Sequence, residues 1–446
     1  MGEVRVPADA LYGAQTARAV ENFPISGWRF GRPFLRALGL IKSAAARANG
    51  ELGALDPVIA QAIELAAEEV VAGDHDSQFV VDIFQTGSGT STNMNANEVI
   101  AHLATRILGR ADFTVHPNDH VNRSQSSNDV IPAAIHVAAA EQVRHELLPA
   151  MAELAESLKQ KAVEFDDIVK IGRTHLQDAV PIRLGQEFGG HARQVDASLE
   201  RVHATLDGIY ELPLGGTAVG TGLNAPRGFA AAAIRTLAER TRLPFREAQN
   251  HFEAQAAKDA CVFLSGALKT YAVALTKIAN DLRWLGSGAI GELRLPEVQP
   301  GSSIMPGKVN PVIAESVLMV CAQVIGCDAT ITWCAAAGNF ELNVMMPALA
   351  YALLEAIRLL ANATRSFRTR LVDGLEADRE RAAEFVEQSL AMVTSLALEI
   401  GYDKAAALAR DAYRSRRTVR DVAREKSGIP EERLNQLLDP RTQTGK

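Results

Sequence analysis

Gly301-Ser302-Ser303-Ile304-Met305-Pro306-Gly307-Lys308-Val309-Asn310-Pro311 lies between two long apolar, helix-like stretches. Gly301 and Gly307 permit turns that a Cβ would strain, and Pro306 and Pro311 keep helix out of the segment. Pro311 also suits the first turn of a following helix. A polar loop that closes onto a helix start exposes backbone N–H groups, and such groups favour an anion. Lys308 adds a full positive charge and Asn310 a neutral donor. The segment reads as a carboxylate- or phosphate-binding loop with a serine inside its field. The same composition also suits a plain surface turn between helices.

Outward from this loop, apolar residues recur at steps of three and four. The spacing predicts five long helices: about 130–165 with a bend at Pro149, one from Pro181 past Leu206, one from Phe252 to Leu285, one from Pro311 to about Cys334, and one from about Met346 to Leu371. A run of roughly 34 residues spans about 50 Å and needs neighbours along its whole length. Two of these runs are apolar on more than one face, so a helical-bundle oligomer is expected. On the N-terminal side, residues 1 to about 33 read as an irregular arm, followed by helices over 37–49, 57–72 and about 96–108. A charged helical tail follows Gly374, with a turn at Gly401-Tyr402-Asp403-Lys404. The expected organisation is all-α in three domains: residues 1–125 as a mixed loop and helical domain, 126–374 as a central five-helix bundle, and 375–446 as a small helical domain.

Composition narrows the function. The 446 residues are 47% apolar, 22% charged and 5% aromatic, with a net charge of −7. That balance suits a soluble helical protein and argues against a nucleic-acid surface. The four cysteines, Cys261, Cys321, Cys327 and Cys334, sit in apolar sequence without metal-ligand spacing, so free thiols in a reducing compartment are expected and neither metal nor cofactor is. The first residues lack the apolar core of a signal peptide, and no uninterrupted apolar run is read as long enough for a membrane. A cytoplasmic location is the expectation.

A serine in an anion nest, paired with a histidine, suits two chemistries. Acyl transfer would want a strand–turn–helix elbow, which helical sequence does not offer. β-Elimination from a dicarboxylate needs a base, donors for a carboxylate that gains a second negative charge, and an acid for the leaving group. Ser302 can be the base if N–H groups and Lys308 stabilise its alkoxide, with Lys308 and Asn310 clamping the doubly charged carboxylate. Histidine is the natural acid/base near neutral pH, so His175 can be the acid, and Glu315 can orient its imidazole.

Three blocks carry a family resemblance. Residues 301–311 match the pattern GSSxMPxKxNP, Gln125-Ser126-Ser127-Asn128-Asp129 matches an SSND block, and Gly172-Arg173-Thr174-His175-Leu176-Gln177-Asp178-Ala179 matches a GRTHLQDA block. The chain resembles the fumarase/aspartase superfamily from Val6 nearly to its end. Gly307 and His175 look like the fumarase branch, where aspartases carry alanine and glutamine. The resemblance implies a metal-independent class II fumarate hydratase acting on (S)-malate and fumarate through an aci-carboxylate. It puts Ser302, His175 and Glu315 in catalytic positions, and substrate on Ser88, Thr90, Ser126, Ser127, Asn128, Thr174, Lys308 and Asn310. It implies a homotetramer with active sites shared by three subunits, and a second dicarboxylate site at His116, Asn118 and Asp119. Aspartate ammonia-lyase is the runner-up. A non-catalytic scaffold reusing the fold is the alternative of another class. One departure is Ser287-Gly288-Ala289-Ile290-Gly291-Glu292, about three residues shorter than the family's segment and lacking its arginine.

Overall fold

A computed structural model describes residues 3–445. Helices dominate: α1 (Ala14–Asn22), α2 (Arg32–Glu51), α3 (Pro57–Ala72), α4 (Thr90–Leu108), α5 (Ser127–Gln142), α6 (Leu148–Glu164), α7 (Leu184–Ile209), α8 (Phe229–Thr241), α9 (His251–Ala256), α10 (Asp259–Leu285), α11 (Val312–Ala335), α12 (Met346–Arg370), α13 (Arg379–Gln388), α14 (Ala397–Ile400), α15 (Tyr402–Ser415), α16 (Val419–Lys426) and α17 (Glu431–Leu437). Among the described residues, strands occur only as two-stranded pairs, the longest being the hairpin of β1 (Val169–Thr174) and β2 (Gln177–Arg183).

The chain forms two compact units. One comprises residues 1–149, 200–272 and 320–361; the other 150–199, 273–319 and 362–446. In the first unit, α2 lies against α3, where Gly39 permits close approach: a Cβ there would meet Val71 Cγ2 at 2.9 Å. Phe34, Leu38, Ile41, Ile63 and Val70 are fully or almost fully buried around this crossing. In the second unit, the C-terminal helices have their own apolar cluster, in which Val386, Leu396, Leu408, Val422 and Leu434 pack with Ile171 of β1.

The structure departs from the sequence reading at several places, each with a local cause. The expected irregular arm contains α1. Its free N-terminal donors are capped by a carboxylate from α4: Glu98 accepts from the backbone N–H of Gly13 (2.8 Å), Gln15 (3.0 Å) and Thr16 (3.1 Å) and from the Thr16 hydroxyl. The expected bend near Pro149 is a π-helical turn over Val143–Leu147, just before the proline removes a backbone donor. Pro181 does not open a helix but lies inside β2. The run from Phe252 to Leu285 breaks between α9 and α10, where the buried Lys258 ammonium takes the place of the missing backbone donors. It donates to the carbonyls of Ala254, Gln255 and Ala257 at 3.3, 2.7 and 2.6 Å. Burial pushes this amine down to about 8. Tyr402 starts α15 directly after Gly401, whose φ of +86° makes the turn.

The reading that no apolar stretch reaches membrane length is corrected. Asp259–Leu285, Val312–Ala335 and Met346–Gly374 are each long and apolar enough by composition to cross a membrane. Periodic charges among the apolar residues hid this in the sequence. In the first unit one of those charges is paired between helices: Asp328 of α11 accepts from Ser265 (2.7 Å) and Lys269 (2.5 Å) of α10.

His136 of α5 is buried, and its Nδ1 lies 2.8 Å from the Glu211 carbonyl. Burial, aided by Lys258, pushes its imidazole down to about 4. The unfolded chain takes up this proton near pH 6.5 and the folded one only near pH 4. His136 therefore costs stability as pH falls from about 6.5 towards 4, by on the order of a few kcal/mol, and is silent above that window. Urea unfolding of His136→Gln at pH 7 and pH 5 is expected to show a smaller loss of stability on acidification than the unsubstituted chain.

Candidate active site

In the first unit, two helices start at one place. Gly89, with φ of +72°, turns the chain into α4, so that Thr90 is its first residue. Ser126 caps α5, with Asn128 N–H donating to its hydroxyl at 3.2 Å and its own N–H donating to Asp129 at 2.9 Å. Ser127 is then the first residue of α5. The Thr90 and Ser127 hydroxyls share a 2.8 Å hydrogen bond, and Ser88 joins through Thr90 at 2.7 Å. The positive ends of two helix dipoles thus converge on three hydroxyls. A carboxylate is the complementary charge. Ser126 keeps its hydroxyl proton free to donate, since its cap uses only the oxygen as acceptor.

Glycine is required beside this cluster. A Cβ on Gly87 would lie 1.6 Å from the Val344 carbonyl oxygen. Asn128 donates to the Ala218 carbonyl at 2.8 Å, and the buried Asp129 accepts from the N–H groups of Gly215 and Thr217 at 2.9 and 3.0 Å. The glycine-rich 214–224 loop is therefore tied to the same helix start. Burial pushes the Asp129 carboxyl up, and those backbone donors and Lys42 oppose it.

The second unit carries the 301–311 loop. The Ser302 hydroxyl oxygen accepts from the backbone N–H groups of Ile304 and Met305, both at 3.2 Å. The nest read from the sequence therefore closes on the serine itself. Asn310 donates to the Gly301 carbonyl at 2.7 Å and so fastens the loop's base with one of its two amide protons. Gly307 has φ of +79°, and a Cβ on Gly301 would lie 1.8 Å from the Lys308 carbonyl oxygen. Lys308 and Glu315 are exposed and, among the described residues, their side chains have no hydrogen bond or ion pair in this chain.

Thr174 and His175 are at the tip of the β1–β2 hairpin, which the sequence reading did not anticipate. His175 and Leu176 form its two-residue turn, with φ of +55° and +57°. Both central residues being left-handed is the turn geometry whose twist matches the strands. The hairpin is anchored by a residue to which the sequence reading gave no role. Glu292, buried, accepts from the two terminal guanidinium nitrogens of Arg173 at 2.8 and 3.0 Å and lies 3.3 Å from the buried Lys170 ammonium. Thr174 and His175 are exposed. Among the described residues, no hydrogen bond joins His175 to Ser302 or to Glu315. His116, Asn118 and Asp119 come together in a π-helical turn, where His116 Nδ1 accepts from the Asp119 N–H at 3.1 Å.

A mainly helical chain with a nested serine on one loop and two helix starts sharing three hydroxyls fits the helical lyases, and the comparisons with known proteins show that class. A family model described as "Lyase" matches residues 2–326, and one described as "Fumarase C C-terminus" matches residues 392–445. The chain is 53% identical over 445 residues to the "Fumarate hydratase class II" of Mycobacterium tuberculosis, covering 99% of this chain and 93% of that protein. It is 52% identical over 440 residues to the one of Corynebacterium glutamicum, covering 98% and 92%. The crystal structure of recombinant class II fumarase from Schistosoma mansoni matches with a TM-score of 0.95 at 39% identity, covering 99% of this chain and 97% of that one. The chain belongs to the class II fumarate hydratase family.

Two outcomes test this geometry. Gly301→Ala is expected to force the loop open and lower turnover by roughly a hundredfold or more, with the melting temperature little changed, because the loop is exposed. Glu292→Gln leaves Arg173 and Lys170 sharing a neutral partner, and is expected to lower both the melting temperature and turnover, as read by calorimetry and assay.

Proposed function

We propose that this enzyme removes water from (S)-malate to give fumarate, reversibly, by anti-elimination through an aci-carboxylate. Hydration of fumarate is the activity for which its family is named, and the small dicarboxylate substrate follows from it. The observation that carries the mechanism is the pair of N–H groups on the Ser302 hydroxyl oxygen. They stabilise an alkoxide, and an alkoxide can take the proton from the carbon next to a carboxylate. The electrons move onto that carboxylate, where Lys308 and Asn310 hold the second negative charge. His175 gives a proton to the departing hydroxyl, with Glu315 orienting the ring. Ser88, Thr90, Ser126, Ser127, Asn128 and Thr174 hold the substrate.

The exposed, unpartnered side chains of His175, Lys308 and Glu315 support an active site completed by other copies of the chain, three subunits to a site within a homotetramer. Exposed apolar side chains on the long helices support the same assembly: Phe263, Val273, Met319 and Trp333 are all more than half exposed. The three-domain division at 125/126 and 374/375 is part of this proposal; the helices after 374 share an apolar cluster, which Ile171 of β1 joins. The exposed turn holding His116, Asn118 and Asp119 is the second dicarboxylate site of this proposal. The enzyme is placed in the cytoplasm, although one relative at 51% identity is the mitochondrial "Fumarate hydratase 1" of Arabidopsis thaliana.

Ser302→Ala and His175→Asn are each expected to lower turnover by roughly a hundredfold or more, with folding intact. The assay follows the ultraviolet absorbance of fumarate's double bond from malate. Near-normal turnover by Ser302→Ala would remove the serine as base. Aspartate formation from fumarate and ammonium, without malate formation, would turn the reading to the ammonia-lyase.

A further inference from the structure

Beneath Ser126–Asn128, in the same unit, is a buried polar layer whose centre is a lysine. Lys42 lies in the middle of α2, fully buried among Leu40, Ile41, Ala44 and Ala45. Its ammonium donates to Asn122 Oδ1 at 3.1 Å and to Gln125 Oε1 at 3.0 Å. The same Asn122 oxygen also accepts from Asn93 (3.1 Å) and Asn97 (3.2 Å) of α4. Seven residues on, and on the same face of α2, Asn49 donates to the Arg123 carbonyl at 2.9 Å and accepts from the Ser124 hydroxyl at 2.6 Å. Ser124 is held with φ of +63°. The turn over residues 122–125 is thus gripped from below by α2 and from the side by α4, directly before the residues that start α5.

A buried ammonium is a costly way to hold a turn. Apolar replacement of a buried charge is often neutral or stabilising, and burial pushes Lys42 down to about 7 against the pull of Asp129. Stability alone gives no reason for a charge here. Geometry does: Lys42 ties the entry to α5 to Asn93 and Asn97 of α4 through one shared oxygen, and Thr90 and Ser127 open those two helices. We propose that Lys42 is a positioning residue for the dicarboxylate site, setting the α5 start against the α4 start so that their hydroxyls and N–H groups meet one carboxylate. The inference rests on the reading of Ser126–Asn128 as substrate-binding.

The test compares Lys42→Met, Lys42→Gln, Asn122→Ala and Asn128→Ala as full-length enzymes. KM and kcat are measured for malate, together with the inhibition constant of succinate, which binds without reacting. Lys42→Met is expected to fold and to raise KM and the succinate constant by roughly tenfold, with kcat within about threefold. Lys42→Gln, which keeps a donor, falls in between. Asn122→Ala removes the shared acceptor without touching the lysine and gives the same answer should Lys42→Met not fold. Lower kcat at unchanged KM in Lys42→Met and Asn122→Ala would mean a merely structural lysine and overturn the inference. So would unchanged constants in both while Asn128→Ala weakens binding. If Asn128→Ala also binds normally, the substrate-site reading itself fails.

Discussion

The 2.8 Å hydrogen bond between Thr90 and Ser127 brings two helix N-termini to one point. Helix ends of the same sign repel, so this arrangement persists only if the surroundings hold it and an anion gains from it. The surroundings are visible. Gly87 and Gly89 leave no room for a Cβ, Asp129 receives three backbone donors, and Lys42 holds the turn before α5. Each is buried or close-packed, and the hydroxyls they support are the substrate contacts of the proposal. The 301–311 loop is the counterpart in the other unit: a backbone made tight by Gly301 and Asn310, aimed at one serine oxygen.

Much of this was legible in the residues, and what was missed has a physical pattern. Long apolar periodicity located α7, α11 and α12 to within a few residues, and the C-terminal end of α10, because a buried helix face is written locally. The helix read over 57–72 is α3, whose ends the structure shows capped by Asp56 and by Gly73 in the left-handed conformation. The nest around Ser302 could be read from glycine and proline spacing. The elements that were missed depend on partners far along the chain. α1 is capped by Glu98, more than 80 residues away, and the hairpin bearing His175 is braced by Glu292, 119 residues beyond Arg173. Glu292 stood in the quoted segment, and an acid beside glycine in a helical protein was the only signal. Lys42 gave the clearest unused signal: a single charge inside Leu38-Gly39-Leu40-Ile41 and Ser43-Ala44-Ala45-Ala46.

The membrane-length helices show the limit of composition. α11 has only 33% of its most apolar window buried within one chain, yet it carries Glu315 and Asp328. In the proposed homotetramer such a helix is covered by helices of other subunits rather than by a bilayer. The same proposal accounts for the candidate catalytic side chains. His175, Lys308 and Glu315 stand exposed in the single chain, and the proposal assigns their partners to other subunits.

The most direct measurement is a crystal structure of the Ser302→Ala enzyme with fumarate bound. The account predicts one carboxylate within hydrogen-bond distance of the Thr90 and Ser127 groups at the two helix starts, and the other on Lys308 and Asn310. Fumarate bound elsewhere, with those helix starts holding only water, would contradict it.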